Sequence, residues 1–531
     1  MPASWTFAHP SQRMPVLAEQ VVATSQPLAS QAGLDALRRG GNAVDAIVAA
    51  AATLTVVEPT SNGLGSDAFA IVSHGTDCWG LNASGRAPAG LDPDRFLAAG
   101  AMPQRGWDSV TVPGAISAWV ALSERWGRLG LDALVEPAAR YAEHGWPVGP
   151  VTAAAWARAA HDLARFDGFA AAFLPGGRAP LAGERMALPA QAAALRAIGA
   201  SAGAAFYRGD LAARIAAAAT ADGAAFTAED LARHAATWVT PISREAYGLD
   251  VAELPPNGQG IAALSALGIL AHTDHANLAP DDPRAVHLAI EATKCALRDV
   301  HDEVADPEAM RVGPADLLDP DRLAAHAAGI DPDHVGPPAP ATLPPGGTVY
   351  LAAADADGML VSYIQSNYVG FGSGIVVDGV ALHNRGAGFS TDPGHPNVVA
   401  PAKRPFHTII PALAQRAGEG LLAFGVMGGH MQPQGHLQVL TRIAAQGENP
   451  QAAVDAPRWR VDRGLRVGVE QGLGRRVIDG LQARGHEVTV TPPGIASGAF
   501  GFGGAQVIER LDAGVWLAAS DPRKEGAAVG F

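Results

Sequence analysis

Apolar and polar positions change texture along the chain, and the changes predict its elements. In "PLASQAGLDALRRGG", Leu28, Ala32 and Leu37 recur near the helical period until Gly40-Gly41 stops the run. Asn42 is then placed to cap "AVDAIVAAAATL", a second and almost wholly apolar helix. "EPTSNGLGSDAFAIVSHG" follows as a glycine-rich loop entering a strand, with "CWGLNASGRAP" as its hairpin partner. From Leu131 to Arg233 the texture is alanine-rich and helical, and Asp282 to Ala305 is one long helix with an apolar stripe. "HVGPPAPATLPPGG", His334 to Gly347, supports no regular structure and reads as an exposed linker. Beyond it, "TVYLAAADADGMLVSYIQS" places two apolar runs about an Asp-Ala-Asp-Gly turn, and "GSGIVVDGVALHN" reads as a second hairpin. The pattern therefore divides the chain near 347 into a helix-rich part, 1–347, and a shorter β-rich part, 348–531.

Composition narrows the class. With 48% hydrophobic and 17% charged residues, the 531-residue chain can bury a large core without covalent support. Two cysteines, Cys78 and Cys295, make neither a disulfide framework nor a ligand cluster, which fits a reducing compartment. A net charge of -14 excludes nucleic acid and anionic membrane as natural partners. The N-terminal residues lack a basic region followed by an apolar core, and the most apolar stretch, Ala43 to Val57, is interrupted by Asp45 and too short to span a bilayer. The expectation is a soluble, cytoplasmic protein.

The chemistry lies at the linker's end. A threonine after Gly346-Gly347 can simply begin a strand. If the chain is cut between Gly347 and Thr348, however, Thr348 becomes an N-terminal residue whose hydroxyl is a nucleophile and whose α-amine is the base. An α-amino group titrates at about 7.7–8.0, suited to proton transfer near neutrality. On this reading Gly347 supplies backbone freedom for attack on its own carbonyl.

"GGNAVDAIVAAAATLTVVEPTSNGLGSDAF" resembles the N-terminal signature of the γ-glutamyltransferase (glutathione hydrolase) family of N-terminal-nucleophile hydrolases. "TVPGAISAW", "FGSGIVV", "KRPFHTIIP", "DAPRWR" and "SDPRKEGAAVGF" are similar to further family blocks in the family's order, from about residue 20 to 531. The resemblance implies an α+β fold, the four-layer αββα sandwich, made as a single proenzyme and processed into large (1–347) and small (348–531) subunits. It implies Thr348 as nucleophile, seven residues before Asp355, and Ser366 as the second hydroxyl eighteen residues on. It implies Gly428 and Gly429 as the paired oxyanion donors. No cofactor and no metal are implied; the six-residue spacing of His430 and His436 matches no familiar ligand pattern.

Departures from the family pattern bear on substrate. The residues that would hold a donor's α-amino group fall on Asn384, Arg385, Gly388 and Tyr368, with a cation at 385 and no acid at 388. The carboxylate-clamping arginine's place is Ser84, with Arg86 two residues on, and the paired serines become His407 and Thr408. Arg86 and Arg385 read equally well as structural ion-pair partners, and His407 as a buried hydrogen-bonded histidine. A positive pocket without an acid suits a carboxylate-bearing acyl group lacking an ammonium. The resemblance thus implies hydrolysis or transfer of γ-glutamyl or related carboxyacyl amides. The alternatives are an oxamate amidohydrolase, a glutaryl- or cephalosporin-acylase activity, or a non-processing binding homologue. Only "VVAP" separates "DPGHPN" from "AKRP", where lid-bearing members insert about ten more residues. A lidless, wetter site favours water over an amine acceptor. The partners implied are a small amide substrate, that acceptor, and the two subunits of one precursor; a homodimer of the pair is left open.

Overall fold

A computed structural model describes residues 12–340, 346–416, 418–495, 499–511 and 514–531. Two seven-stranded sheets form its centre. One runs, in spatial order, Val16–Ala18, Trp516–Ser520, Gly504–Arg510, Glu419–Met427, Ala412–Arg416, Leu249–Glu253 and Ile242–Ala246. The other runs Ala527–Gly530, Val21–Thr24, Gly347–Ala354, Leu360–Tyr368, Asp67–His74, Asp77–Asn82 and Thr237–Val239.

Strand periodicity explains the layering. Along Gly347–Ala354, Tyr350, Ala352 and Ala354 point into a core shared by the two sheets, with Phe69, Ile71, Leu413, Ala423 and Ile508. Val349, Leu351 and Ala353 point the other way, against helices Pro27–Arg38, Ala43–Val57 and Leu131–His144. The outer face of the first sheet, with Val251, Phe424 and Val507, packs on helices Gly260–Leu270, Pro283–Glu303 and Met431–Leu440. Helix, sheet, sheet and helix are thus stacked as the expected αββα sandwich. A strand covered on both faces is apolar at every position, which is why "TVYLAAA" shows no alternation.

Local signals hold. Asn42 and Asp45 form a reciprocal capping box on Ala43–Val57. The Asp-Ala-Asp-Gly turn is fastened to that helix, because Asp355 Oδ2 accepts from the Ala43 N–H at 2.9 Å. The second hairpin shrinks to Val376–Val377 and Val380–Ala381, turned by Asp378 and Gly379, both with positive φ.

The helix-rich and β-rich parts share their sheets: most helices precede 347, yet residues before 347 supply seven strands of the two large sheets and residues from 347 onward supply the other seven. One expectation needs correction, because the linker is only partly free. Residues 341–345 lie outside the described residues, but Val335 N–H donates to Arg484 O (2.7 Å) and Ala339 pairs in both directions with Gly464 (2.9 and 3.0 Å). Among the described residues no helix is long and apolar enough to cross a membrane, and Cys78 and Cys295 are both free.

Candidate active site

Thr348 stands one residue into the strand that begins at Gly347, beside a break in register: Gly347 pairs with Tyr368, but Thr348 pairs with Ser366. This bulge bends the backbone at the Gly347–Thr348 peptide. Its other side shows the cost, with Tyr368 at φ +74°. Neither Gly346 nor Gly347 has a positive φ, so the expected backbone freedom is not what they provide. They provide space. A Cβ at 347 would meet Thr60 O at 2.6 Å and Ser61 Cα at 3.0 Å, and one at 346 would meet Tyr368 O at 2.4 Å.

Ser366 Oγ lies 3.0 Å from Thr348 Oγ1, 2.7 Å from Gly347 O and 2.8 Å from the Tyr368 amide nitrogen. Valence fixes the directions. The Tyr368 N–H can only donate and the Gly347 carbonyl can only accept, so the single Ser366 proton goes to Gly347 O. Its remaining lone pair accepts the Thr348 hydroxyl. One buried serine therefore holds the Thr348 hydroxyl and donates to the carbonyl in front of it.

Gly428 (φ +132°) and Gly429 (φ +64°) turn the chain between strand Glu419–Met427 and helix Met431–Leu440. Gln259, at the head of Gly260–Leu270, fixes this turn: its Nε2 donates to Gly429 O (2.8 Å) and to Thr408 O (2.6 Å). Thr408 Oγ1 in turn accepts from Arg385 Nη1 (2.9 Å), and the Arg385 guanidinium lies 4.1 Å over the Tyr368 ring. Thr348, Ser366, Tyr368, Arg385, Thr408 and the two glycines are thus linked through direct contacts into one constellation. Arg385 is 1% exposed, and its Nε and Nη2 have no hydrogen-bond partner. Burial lowers it to about 10, against the attraction of Tyr368 and Asp67, and raises the Tyr368 phenol to about 12. The arrangement can hold a nucleophile, stabilise an oxyanion and receive an anion.

A gamma-glutamyltranspeptidase family model matches residues 29–531. The chain belongs to that family. It is 36% identical to the glutathione hydrolase-like YwrD proenzyme of Bacillus subtilis (strain 168), over 97% of this chain and 98% of that one. It is 37% identical to the oxamate amidohydrolase proenzyme of Klebsiella pneumoniae subsp. pneumoniae, over 95% and 97%. The solved cephalosporin acylase from Bacillus halodurans superposes with a TM-score of 0.93 at 42% identity, covering 100% of this chain and 99% of that one. The αββα sandwich is accordingly the N-terminal-nucleophile hydrolase fold of gamma-glutamyltranspeptidases.

Other residues singled out in the sequence sit differently. Arg86 Nη1 pairs with Asp306 Oδ2 (2.8 Å) and donates to Ala402 O (3.0 Å), so its charge is already compensated. Asn384 braces the loop after Tyr368, accepting from Val369 N–H (3.1 Å) and donating to Gln104 O (2.8 Å). His407 is buried with its Nε2 on Asp67 Oδ2 at 3.0 Å, and burial keeps it neutral, well below the usual histidine range. The short segment in place of a lid is tied down by Asn397 Nδ2 on Gly388 O (2.7 Å) and Lys403 Nζ on Val398 O (2.9 Å).

His430 stacks on Phe406 and His436 binds Glu253 Oε1 (2.7 Å), so the two are not convergent ligands. Among the described residues one group has metal-compatible spacing: His287, Glu291 and His486. There Lys294 Nζ binds both Glu291 oxygens (2.8 and 3.1 Å), so an ammonium already occupies the cation's place. Sequence reasoning missed Gln259, Asp67 and His383. Gln259 carried no motif; Asp67, a lone acid in an otherwise apolar glycine-rich strand entry, was the available signal.

Proposed function

We propose that the chain is a precursor that cuts itself between Gly347 and Thr348 into subunits 1–347 and 348–531, then hydrolyses monoamides of dicarboxylic acids through an ester on Thr348. In the first step Thr348 Oγ attacks the Gly347 carbonyl carbon. Its proton passes to Ser366, and the Ser366 proton goes to Gly347 O. Collapse breaks the C–N bond to Thr348, the freed amine takes a proton, and water hydrolyses the resulting ester to release a carboxylate at Gly347. In each later turnover the new α-amine takes the Thr348 hydroxyl proton, and the N–H groups of Gly428 and Gly429 receive the oxyanion. The α-amine returns its proton to the leaving amine, and water resolves the acyl-enzyme.

The observation that carries the choice of substrate is Arg385: a buried guanidinium stacked on Tyr368, whose amide binds Ser366, with two nitrogens unpaired and no acid bound to it. A buried cation so placed favours an incoming carboxylate. A γ-glutamyl donor would set its ammonium in the same pocket, where position 388 is a glycine and offers no acid. The relatives named for oxamate and cephalosporin fit this direction, and the glutathione hydrolases supply the second reading. The tied-down segment 397–403 leaves water as the main acceptor.

Two measurements test the proposal. Purified protein should run as two bands on a denaturing gel, the smaller beginning at Thr348 by terminal sequencing, and Thr348→Ala should remain one inactive band. A lasting single band from the wild type would establish a non-processing homologue. Glutaryl p-nitroanilide should be turned over faster than γ-glutamyl p-nitroanilide, and the reverse preference would overturn the pocket assignment.

A further inference from the structure

Asp67 comes from the large part of the chain, at the start of strand Asp67–His74, and is completely buried. Every neighbour that reaches its carboxylate is a donor. Gly114 N–H (3.0 Å) and Gly85 N–H (3.4 Å) bind Oδ1 and His407 Nε2 binds Oδ2 at 3.0 Å, while His383 Nε2 lies 3.5 Å from Oδ1 without a hydrogen bond to it. Both imidazoles have fixed tautomers. The Arg385 backbone N–H donates to His383 Nδ1 (3.0 Å) and the Ile409 N–H donates to His407 Nδ1 (3.3 Å), so each ring carries its proton on the nitrogen facing Asp67. His383 stands two residues before Arg385, and His407 stands immediately before Thr408. One carboxylate therefore grips the segment that carries Thr408 and lies against the one that carries Arg385.

We infer that Asp67 is the positioning residue of the carboxylate pocket: through His407 it places Thr408, whose hydroxyl holds the Arg385 guanidinium, and so sets the preference for carboxylate-bearing acyl groups. The inference rests on the amidohydrolase reading above. It needs both partners of an Asp–His pair that crosses from one subunit to the other. The alternative role for Asp67, plain counter-charge to Arg385, has the opposite signature, because removing an anion near Arg385 strengthens binding of another anion there. In Asp67→Asn the side-chain NH2 must face either the His407 Nε2–H or the Gly114 and Gly85 N–H groups, donor against donor in both orientations. Either way the arrangement of donors around position 67 is broken and the grip on the His407–Thr408 segment loosens.

The test compares glutaryl p-nitroanilide with butyryl p-nitroanilide, which lacks the second carboxylate, using the processed enzyme. Asp67→Asn should self-cleave, raise KM for the glutaryl compound at least about tenfold with a change in kcat below about threefold, and lower the glutaryl-to-butyryl ratio of kcat/KM by about the same tenfold. An unchanged or lower KM, or an equal loss on both anilides, overturns the positioning role. Should Asp67→Asn fail to fold, His407→Phe, which keeps an aromatic ring but donates nothing to Asp67, takes its place with the same expected loss in the ratio. A wild-type enzyme that hydrolyses neither anilide refutes the amidohydrolase reading itself, and does so without reference to any variant.

Discussion

Ser366→Ala is the sharpest test of the cleavage step. The substitution deletes one oxygen that makes three contacts: acceptor for Thr348 at 3.0 Å, donor to Gly347 O at 2.7 Å, and acceptor for Tyr368 N–H at 2.8 Å. The first two change character as the tetrahedral intermediate forms, since Thr348 must lose its proton and Gly347 O gains charge. Removing a single donor from a developing oxyanion costs about 2.7–4 kcal/mol, or about 10²–10³ in rate. The proton acceptor is lost in the same stroke, so cleavage should slow at least about a hundredfold. The assay is densitometry of precursor and product bands after affinity capture from a short expression pulse, with intact-mass confirmation of the cut. Ser366→Thr keeps the hydroxyl and should cleave far faster than the alanine variant. A Ser366→Ala precursor that matures within threefold of the wild-type rate would refute the proton path drawn here.

Gly347→Ala should also slow maturation, by roughly 5- to 150-fold for an overpacking cost of about 1–3 kcal/mol, because the new methyl meets the backbone atoms Thr60 O at 2.6 Å and Ser61 Cα at 3.0 Å. The same gel reads it, and normal maturation would show that the tight fit is irrelevant. Acid should destabilise the fold early. Burial lowers His234, His383, His436 and His486 to about 3 and His275 and His430 to about 4, so the native state binds fewer protons there than the unfolded chain. Stability from these neutral rings is present above the unfolded value of about 6.5 and is lost as pH falls from there toward their folded values. Six acids raised by burial, Asp67 to about 7 and Glu253, Asp355, Asp455, Glu509 and Glu525 above their usual range, act in the opposite direction. They are outnumbered by the lowered histidines, eight among the described residues once His287 and His407 are included. Thermal unfolding should therefore shift down between pH 6.5 and 4.5, and a Tm that is flat or rising across that interval contradicts the assignment.

Positions close together in the chain could be located without coordinates. The family resemblance placed Thr348, Ser366 and the turn at Asp355 by counting along what is one hairpin, and it placed Gly428 and Gly429 in the same way. Residues whose roles depend on distant partners were not legible. Arg86 looked as eligible as Arg385 until Asp306, 220 positions away, was found beside it. Gln259 acts through two carbonyls more than 140 residues downstream. Asp67 stood within the stretch that carries the family signature, but its significance came only with the two histidines folded against it. Several strands of the helix-rich part escaped notice for a related reason: short ones such as Val21–Thr24 and Leu249–Glu253 carry little signal until a neighbour pairs with them.

The interleaving of strands has a consequence for how such an enzyme can be manufactured. Strand Gly347–Ala354 is hydrogen-bonded to Val21–Thr24 on one side and Leu360–Tyr368 on the other, and each large sheet takes strands from both sides of the cut. Neither product of cleavage contains a complete sheet, so two separately translated polypeptides would each begin with unpaired strand edges. A gene broken at codon 348 would also place an initiator methionine in front of the threonine. The uncut precursor is thus the folding template, and the nick that creates the nucleophile comes after the architecture that traps both pieces.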